Sequence, residues 1–446
     1  MKARIIILIF PERGALNASF MLARQLAIEG FDITYLTNSF FVEHVRAQGF
    51  HCELFDLTPF YDGLRMRVRN GAGKTSRVFR MLAMLRIFLK RNDLLEEYLE
   101  KNLQVFFTKP VDLVLLDPIL MNCCIPFIKR QIPVIHLNTT FAYRMNSVCY
   151  PVFSKRVSPG NKSLRAWFTI VTTWVLLWIR IVVKDLNWHR QHGLVPTRTV
   201  NTARRKIRRY GHRYVWGEYG YRLACPELIL APRQIDFRIV ADEDRRCYAG
   251  ASILKNRSDG DCSLSFSGLP LLYCSLGTYG HFCKAQVRLV LAVVDMMRRL
   301  PEWEAVIHMK EGLIGSDFKA PSNVRVLSHV PQLEVLKRAS AAITHAGCSS
   351  LKECIITGTP MIVVPWNNDG FGNSARVLYH SLGVRLDIET VSPDVLRQAL
   401  LHVTTDTGIQ SAVRAMQQVF LDQEDCRHGV DFISNFFEKR ILKQTG

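Results

Sequence analysis

The chain has 446 residues, 48% hydrophobic and 22% charged, which excludes a disordered or fibrous protein. At ~150 residues per domain, this length implies two or three domains rather than one core. Lys+Arg 58 against Asp+Glu 39 leaves a net charge of +19, an excess that predicts attraction to anionic lipid, nucleic acid or a polyanionic ligand. The 12 cysteines form no C-x-x-C pair, so zinc spacing is absent and buried, reduced thiols are expected.

From the N-terminus, residues 5–10 (IIILIF, ended by Pro11 and read as a buried strand) are too short for a signal-peptide core of ~7–15 residues. A helix over 17–29, a strand over 32–37 and a helix over 41–48 follow. Gly71-Ala72-Gly73-Lys74-Thr75 imitates a phosphate loop, but Val68 stands where its first glycine belongs, so it reads as a basic loop. Around it lie Arg65, Arg67, Arg69, Arg77, Arg80, Arg86, Lys90 and Arg91, and a second basic run occupies 204–209. No nucleic-acid module accompanies these charges. A solvated face or contact with anionic membrane lipid is expected, and no nucleic-acid partner.

Strands over 113–116 and 134–137 flank a helix over 121–130. The uncharged run 166–179, with Trp167, Trp174 and Trp178, is shorter than the ~20 residues a bilayer core requires. It reads as a core helix or one lying at an apolar boundary. The polar, Ser- and Gly-rich segment 255–268 is read as a linker. It separates an N-terminal domain, 1–254, from a C-terminal domain, 269–446. In the latter the pattern restarts, with strands over 271–275, 305–309, 324–328, 341–344 and 361–364 and a helix over 284–300. Apolar strands joined by helices imply parallel sheets covered on both faces, hence an α/β chain of two Rossmann-like domains facing a cleft.

The most informative stretch is VPQLEVLKRASAAITHAGCSSLKECIITGTPMIVVPWNNDG, from Val330 to Gly370. A strand ends at His345, a tight turn follows, and Ser349 and Ser350 are expected to cap a helix reaching Thr357. Free N–H groups at a helix start beside a parallel strand suit a phosphate, and Glu353 one turn on can accept from a ribose diol. The order P-Q, H-x-G, S-x-x-E, G-x-P, P-x-x-x-D resembles the nucleotide-sugar signature of family 1, UDP-sugar-dependent glycosyltransferases, as found in bacterial natural-product and lipid glycosylation. The opening FPERGALNASFMLARQLAIEGFDITYLT, Asp117 in LVLLDP and Ser275-Leu276-Gly277-Thr278 extend that resemblance over essentially the whole chain.

The resemblance implies a GT-B architecture, an N-terminal acceptor domain, a C-terminal donor domain, and a last helix crossing back. It implies that His329, Val330 and Gln332 hold the uracil; that Thr278, His345, Gly347, Ser349 and Ser350 hold the diphosphate; that Glu353 holds the ribose; and that Asp369 holds the sugar. Cys348 and Gly370 depart from residues that normally touch the sugar. Ala15 replaces the usual catalytic histidine, so Asp117 is expected to take the acceptor proton directly, with Glu12 or a nearby histidine as the alternative. No cofactor or metal is expected beyond the UDP-sugar co-substrate. The implied reaction is inverting transfer to a hydroxyl of a hydrophobic acceptor by a cytoplasmic protein, peripheral to the inner membrane face. A UDP-sugar epimerase or a non-catalytic nucleotide-sugar-binding protein are the alternatives.

Overall fold

The computed structural model describes residues 2–55, 97–141, 143–159, 163–192, 206–218, 220–240, 245–257, 264–277, 284–309, 318–366 and 369–445. The loop at 71–75, the cations at 65–91, Arg204, Arg205 and Thr278 lie outside the described residues.

Strands β1 (Arg4–Leu8), β2 (Asp32–Thr37), β3 (His51–Leu54), β4 (Leu113–Leu116), β5 (Val134–Asn138), β8 (Glu227–Ile229) and β9 (Arg246–Tyr248) form one sheet, in the order β3-β2-β1-β4-β5-β8-β9. All its pairs are parallel. Residues 5–8 and the whole of β4 and β5 are buried, as expected for strands covered on both faces. A separate antiparallel hairpin joins β6 (Tyr214–Gly217) to β7 (Gly220–Leu223).

Helix α1 (Arg13–Ile28) leaves the end of β1 a turn earlier than the sequence suggests. Gly14, a poor helix former, hides that start. The region 121–130 is not one helix. A 3-10 helix, Pro118–Cys124, gives way to a short α-helix, Ile125–Lys129. Pro126 is compatible only with a first helical turn, which divides the two.

The tryptophan segment lies in α2 (Leu164–His192). Trp174 is fully buried and its indole N–H donates to the Cys149 carbonyl at 3.0 Å, whereas Leu164, Phe168, Leu176 and Trp178 are exposed. Among the described residues no helix is long and apolar enough to cross a membrane.

The second sheet contains β10 (Leu271–Ser275), β11 (Glu304–His308), β12 (Val324–Leu327), β13 (Ala339–Thr344), β14 (Met361–Val363) and β15 (Gly383–Arg385). Its order is β12-β11-β10-β13-β14-β15, and every pair is parallel. Helices α3 (Cys348–Thr357) and α4 (Gly370–Tyr379) follow β13 and β14. The last helix, α5 (Arg427–Thr445), packs on the first sheet's side. Val430 and Ile433 join the core around Ile5 and Leu22, Phe437 stacks on Phe31 at 5.4 Å, and Arg427 pairs with Glu29 at 3.0 Å.

Two buried cations bind the halves together. Arg376 of α4 meets Asp236 of the first half at 2.8 Å, both wholly buried, and the Tyr143 and Tyr248 hydroxyls also donate to Asp236. Lys352 of α3 donates to the carbonyls of Leu230 (2.7 Å), Ala251 (2.9 Å) and Ser252 (3.4 Å). In each sheet the strand order reverses beside the first strand, β1 or β10, opening a crevice at the strands' carboxyl ends, where α/β folds hold ligands.

Candidate functional site

The two crevices share one cleft, with about 1080 Å³ of empty space continuous with solvent. Its walls include Glu12, Gly14 and Ala15 from the first half and Gln332, His345, Ser349, Ser350, Glu353 and Asp369 from the second. Two helix starts converge there. Glu12 is the extended residue before α1, and Gly347 is the extended residue before α3. The Ser349 hydroxyl donates to the Gly14 carbonyl at 2.7 Å, joining the two loops. Ser349 is therefore not the cap the sequence suggests; Gly347 holds that position and no side chain caps the helix. The first N–H groups of α3 are left available to an anion.

Between β13 and α3 the chain turns through Ala346, whose φ of +63° is in the left-handed region. That conformation costs about 1–2 kcal/mol for a non-glycine residue, and the Asn373 amide holds it by donating to the Ala346 carbonyl at 2.9 Å. The His345 ring is wedged between glycines. A Cβ on Gly277 would lie 2.6 Å from Cε1, and one on Gly347 would lie 2.5 Å from Nε2. Gly277 also has φ +83°, so both space and backbone demand glycine there. Burial pushes His345 down to about 4, which leaves the ring neutral near pH 7. Its buried Nδ1 has no hydrogen-bond partner among the described residues. The neutral ring brings no charge, and it hydrogen-bonds to the Ser275 backbone.

Glu353 is already engaged. Arg257 pairs with its Oε1 at 2.9 Å, and Gln332 Nε2 donates to its Oε2 at 2.6 Å, while the Tyr273 hydroxyl donates to Gln332 at 3.0 Å. Asp369 accepts from Asn373 at 2.9 Å, and burial raises it to about 6. Next to it, Gly370 presses on the His345 carbonyl: a Cβ would stand 2.6 Å from that oxygen, so the space for a side chain is taken by backbone.

The two candidate bases sit differently. Their strands pair, with Leu8 opposite Leu116, so the following loops run side by side. Asp117 is buried and accepts one amide on each oxygen: Oδ1 from Ile119 at 2.9 Å and Oδ2 from Phe10 at 3.3 Å. It is not among the cleft-lining residues, and burial raises it to about 6. Glu12 lines the cleft and caps no helix. Burial first, then the charges of Asp369 and Asp117, push it up to about 7.

Val330, Cys348 and Gly347 also line the cleft, whereas His329 is exposed outside its lining and Gly370 lies behind it. Burial pushes the Cys348 thiol up to about 12, keeping it protonated. Arg13, Arg257 and Trp366 line the cleft without having been singled out in the sequence. Only Arg13 carried a signal, its place between Glu12 and the glycine turn. Among the described residues no group of His, Cys, Asp and Glu converges as a metal site.

Two parallel-sheet domains meeting in such a cleft define the GT-B fold. It is shared, at TM-scores of 0.66 and 0.63, with the glycosyltransferase of kitacinnamycin and with CalG4, the calicheamicin glycosyltransferase. Identities are 20% and 18%; the matches cover 97% and 98% of this chain and 98% of each of those chains.

Residues 291–424 match the family model described as "Erythromycin biosynthesis protein CIII-like, C-terminal domain". The chain is 25% identical to the NDP-glycosyltransferase YjiC of Bacillus subtilis (strain 168), over 50% of this chain and 57% of that protein. It is 28% identical to the oleandomycin glycosyltransferase of Streptomyces antibioticus, over 46% and 47%. The chain thus spans about half the length of the curated relatives it matches. The resemblance to bacterial natural-product glycosyltransferases of family 1 is found in both sequence and fold.

Proposed function

We propose that the chain is an inverting glycosyltransferase that moves a sugar from a UDP-sugar to a hydroxyl of a hydrophobic small molecule or lipid. The observation that carries this reading is the convergence of the α1 and α3 starts on one cleft, joined by Ser349 and Gly14. Val330 and Gln332 stand where a base would pack, the α3 N–H groups with Ser349, Ser350 and His345 would hold the diphosphate, and Asp369 the sugar. Glu353 would accept from the ribose diol on the remaining lone pairs of its carboxylate while keeping its pair with Arg257.

In the reaction the acceptor oxygen bonds to the anomeric carbon as the bond from that carbon to the β-phosphate oxygen breaks. The acceptor proton passes to Glu12, and UDP departs with the bonding pair. Glu12 is favoured over Asp117 because it lines the cleft and is pushed up to about 7 by burial and by the charges of Asp369 and Asp117. The exposed apolar side chains of α2 and the net charge of +19 support a hydrophobic acceptor met at an anionic membrane face.

The test is release of UDP from UDP-glucose and related donors, with hydrophobic alcohols or glycerolipid vesicles as acceptors. UDP release that no acceptor stimulates would overturn transfer. The second reading is a binding protein without turnover, favoured by Ala15, which lines the cleft where an imidazole is usual. In either case Glu353→Ala should weaken UDP by about 1–3 kcal/mol, since buried donors lose their acceptor. It should also lower the Tm, because the buried Arg257 guanidinium loses its pair with the Glu353 carboxylate. Unchanged UDP affinity by calorimetry would remove the ribose role.

A further inference from the structure

We infer that Arg13, carried by the acceptor-side half, binds the nucleotide's diphosphate and supplies the positive charge that the leaving group requires. The inference rests on the nucleotide-sugar reading of the cleft.

The need for a cation follows from the site itself. A nucleoside diphosphate enters as a dianion or trianion and gains further charge on its β-phosphate oxygen as the sugar departs. Preorganised charge is worth most in a site from which water is partly excluded. The donor-side wall offers hydroxyls, backbone N–H groups and two imidazoles. Burial pushes the His345 ring down to about 4 and also lowers His308, so neither brings a charge near neutral pH. The remaining ionisable wall groups include three carboxylic acids, Glu12, Glu353 and Asp369, whose charge opposes an anion.

Among the described residues, the arginines and lysines that line the cleft are Arg13 and Arg257. Arg257 is committed to Glu353 at 2.9 Å. Arg13 forms no ion pair or side-chain hydrogen bond with another described residue. It opens α1, and its neighbour Gly14 receives the Ser349 hydroxyl at 2.7 Å, so its backbone lies one residue from contact with the start of α3. Its charge also reaches the far wall: after burial, it is one of the causes that hold His308, at the end of β11, below the usual range. The guanidinium therefore stands within electrostatic reach of the donor half while being borne by the acceptor half. Its planar fork suits two phosphate oxygens at once. Carried on the loop that also bears Glu12, it links the group accepting the proton to the group stabilising the departing charge.

The experiment is calorimetric binding of UDP, UMP and uridine to the full chain and to its Arg13→Gln and Arg13→Lys variants, with melting curves as the folding control. The wild-type chain should bind UDP, and Arg13→Gln should weaken UDP by about 10- to 100-fold. The same variant should narrow the preference for UDP over UMP and leave uridine unchanged, because the lost contact is to phosphate. Arg13→Lys should recover part of the UDP affinity, since charge remains without the fork, and it provides the test if the glutamine variant melts early. Wild-type binding matched by both variants overturns the inference alone. A wild-type chain that binds none of the three probes overturns the nucleotide reading, and this inference with it.

Discussion

Glu12→Gln should lower the rate of sugar transfer by about 10²–10⁴-fold, the usual contribution of a positioned base, while UDP binding and the melting temperature stay near wild type. Glutamine keeps the shape of the side chain and cannot accept the proton. The pH dependence supplies a second reading of the same residue. A base works in its ionised form, and Glu12 titrates near 7, raised by burial and by Asp369 and Asp117. The wild-type rate should therefore climb as pH rises through neutrality and level off above it. Asp117→Asn removes one of the charges that raise Glu12, so the climbing limb should move to lower pH with much of the plateau rate retained. If Asp117 is itself the base, the same variant abolishes transfer at every pH, and the assignment moves away from Glu12.

Arg376→Met should destabilise the chain by about 3–5 kcal/mol, the range seen when one partner of a buried pair is removed. Asp236 would remain in a fully buried position without the cation that holds its carboxyl below the ordinary range, despite the opposing effect of burial. Its remaining partners are the hydroxyls of Tyr143 and Tyr248 and the Phe237 amide. Adding Asp236→Asn should restore part of the loss, because the stranded charge disappears with it. Denaturant titration measures both variants, and a loss under about 1 kcal/mol for Arg376→Met would show that the pair is not a stabilising contact.

Much of the fold was legible because its strands are continuous apolar runs. Residues 5–8, 113–116, 271–274 and 361–363 stand out as blocks of Ile, Leu, Val, Met, Tyr and Cys, and each lies in a strand. The short β8 and β9 and the β6–β7 hairpin were missed, being three or four residues long and rich in Glu, Arg, Gly and Tyr. At the site, the turn from His345 to Glu353 was readable because all its parts lie within a few residues of one another. Contacts between distant residues were not. Nothing near Arg257 announces Glu353, and nothing near Lys352 announces the carbonyls of Leu230, Ala251 and Ser252. Asp117 shows the same: two backbone amides, of Ile119 and Phe10, donate to its oxygens, and Phe10 comes from a strand end that only the fold brings beside it.

The buried amine of Lys352 has a bearing on hybrid proteins. Burial opposes its charge, and three carbonyls of the other half receive its protons. A chimera that joined residues 269–446 to the N-terminal half of a relative would inherit that amine without the carbonyls shaped to receive it. Arg376 would likewise lose Asp236, and the rings of Phe436 and Phe437 would lose the surface beside Phe31. Exchange of the second half should therefore give insoluble products unless 228–254 and the outer face of α1 travel with it. The natural unit of recombination in this chain is the second half together with its seat, rather than residues 269–446 alone.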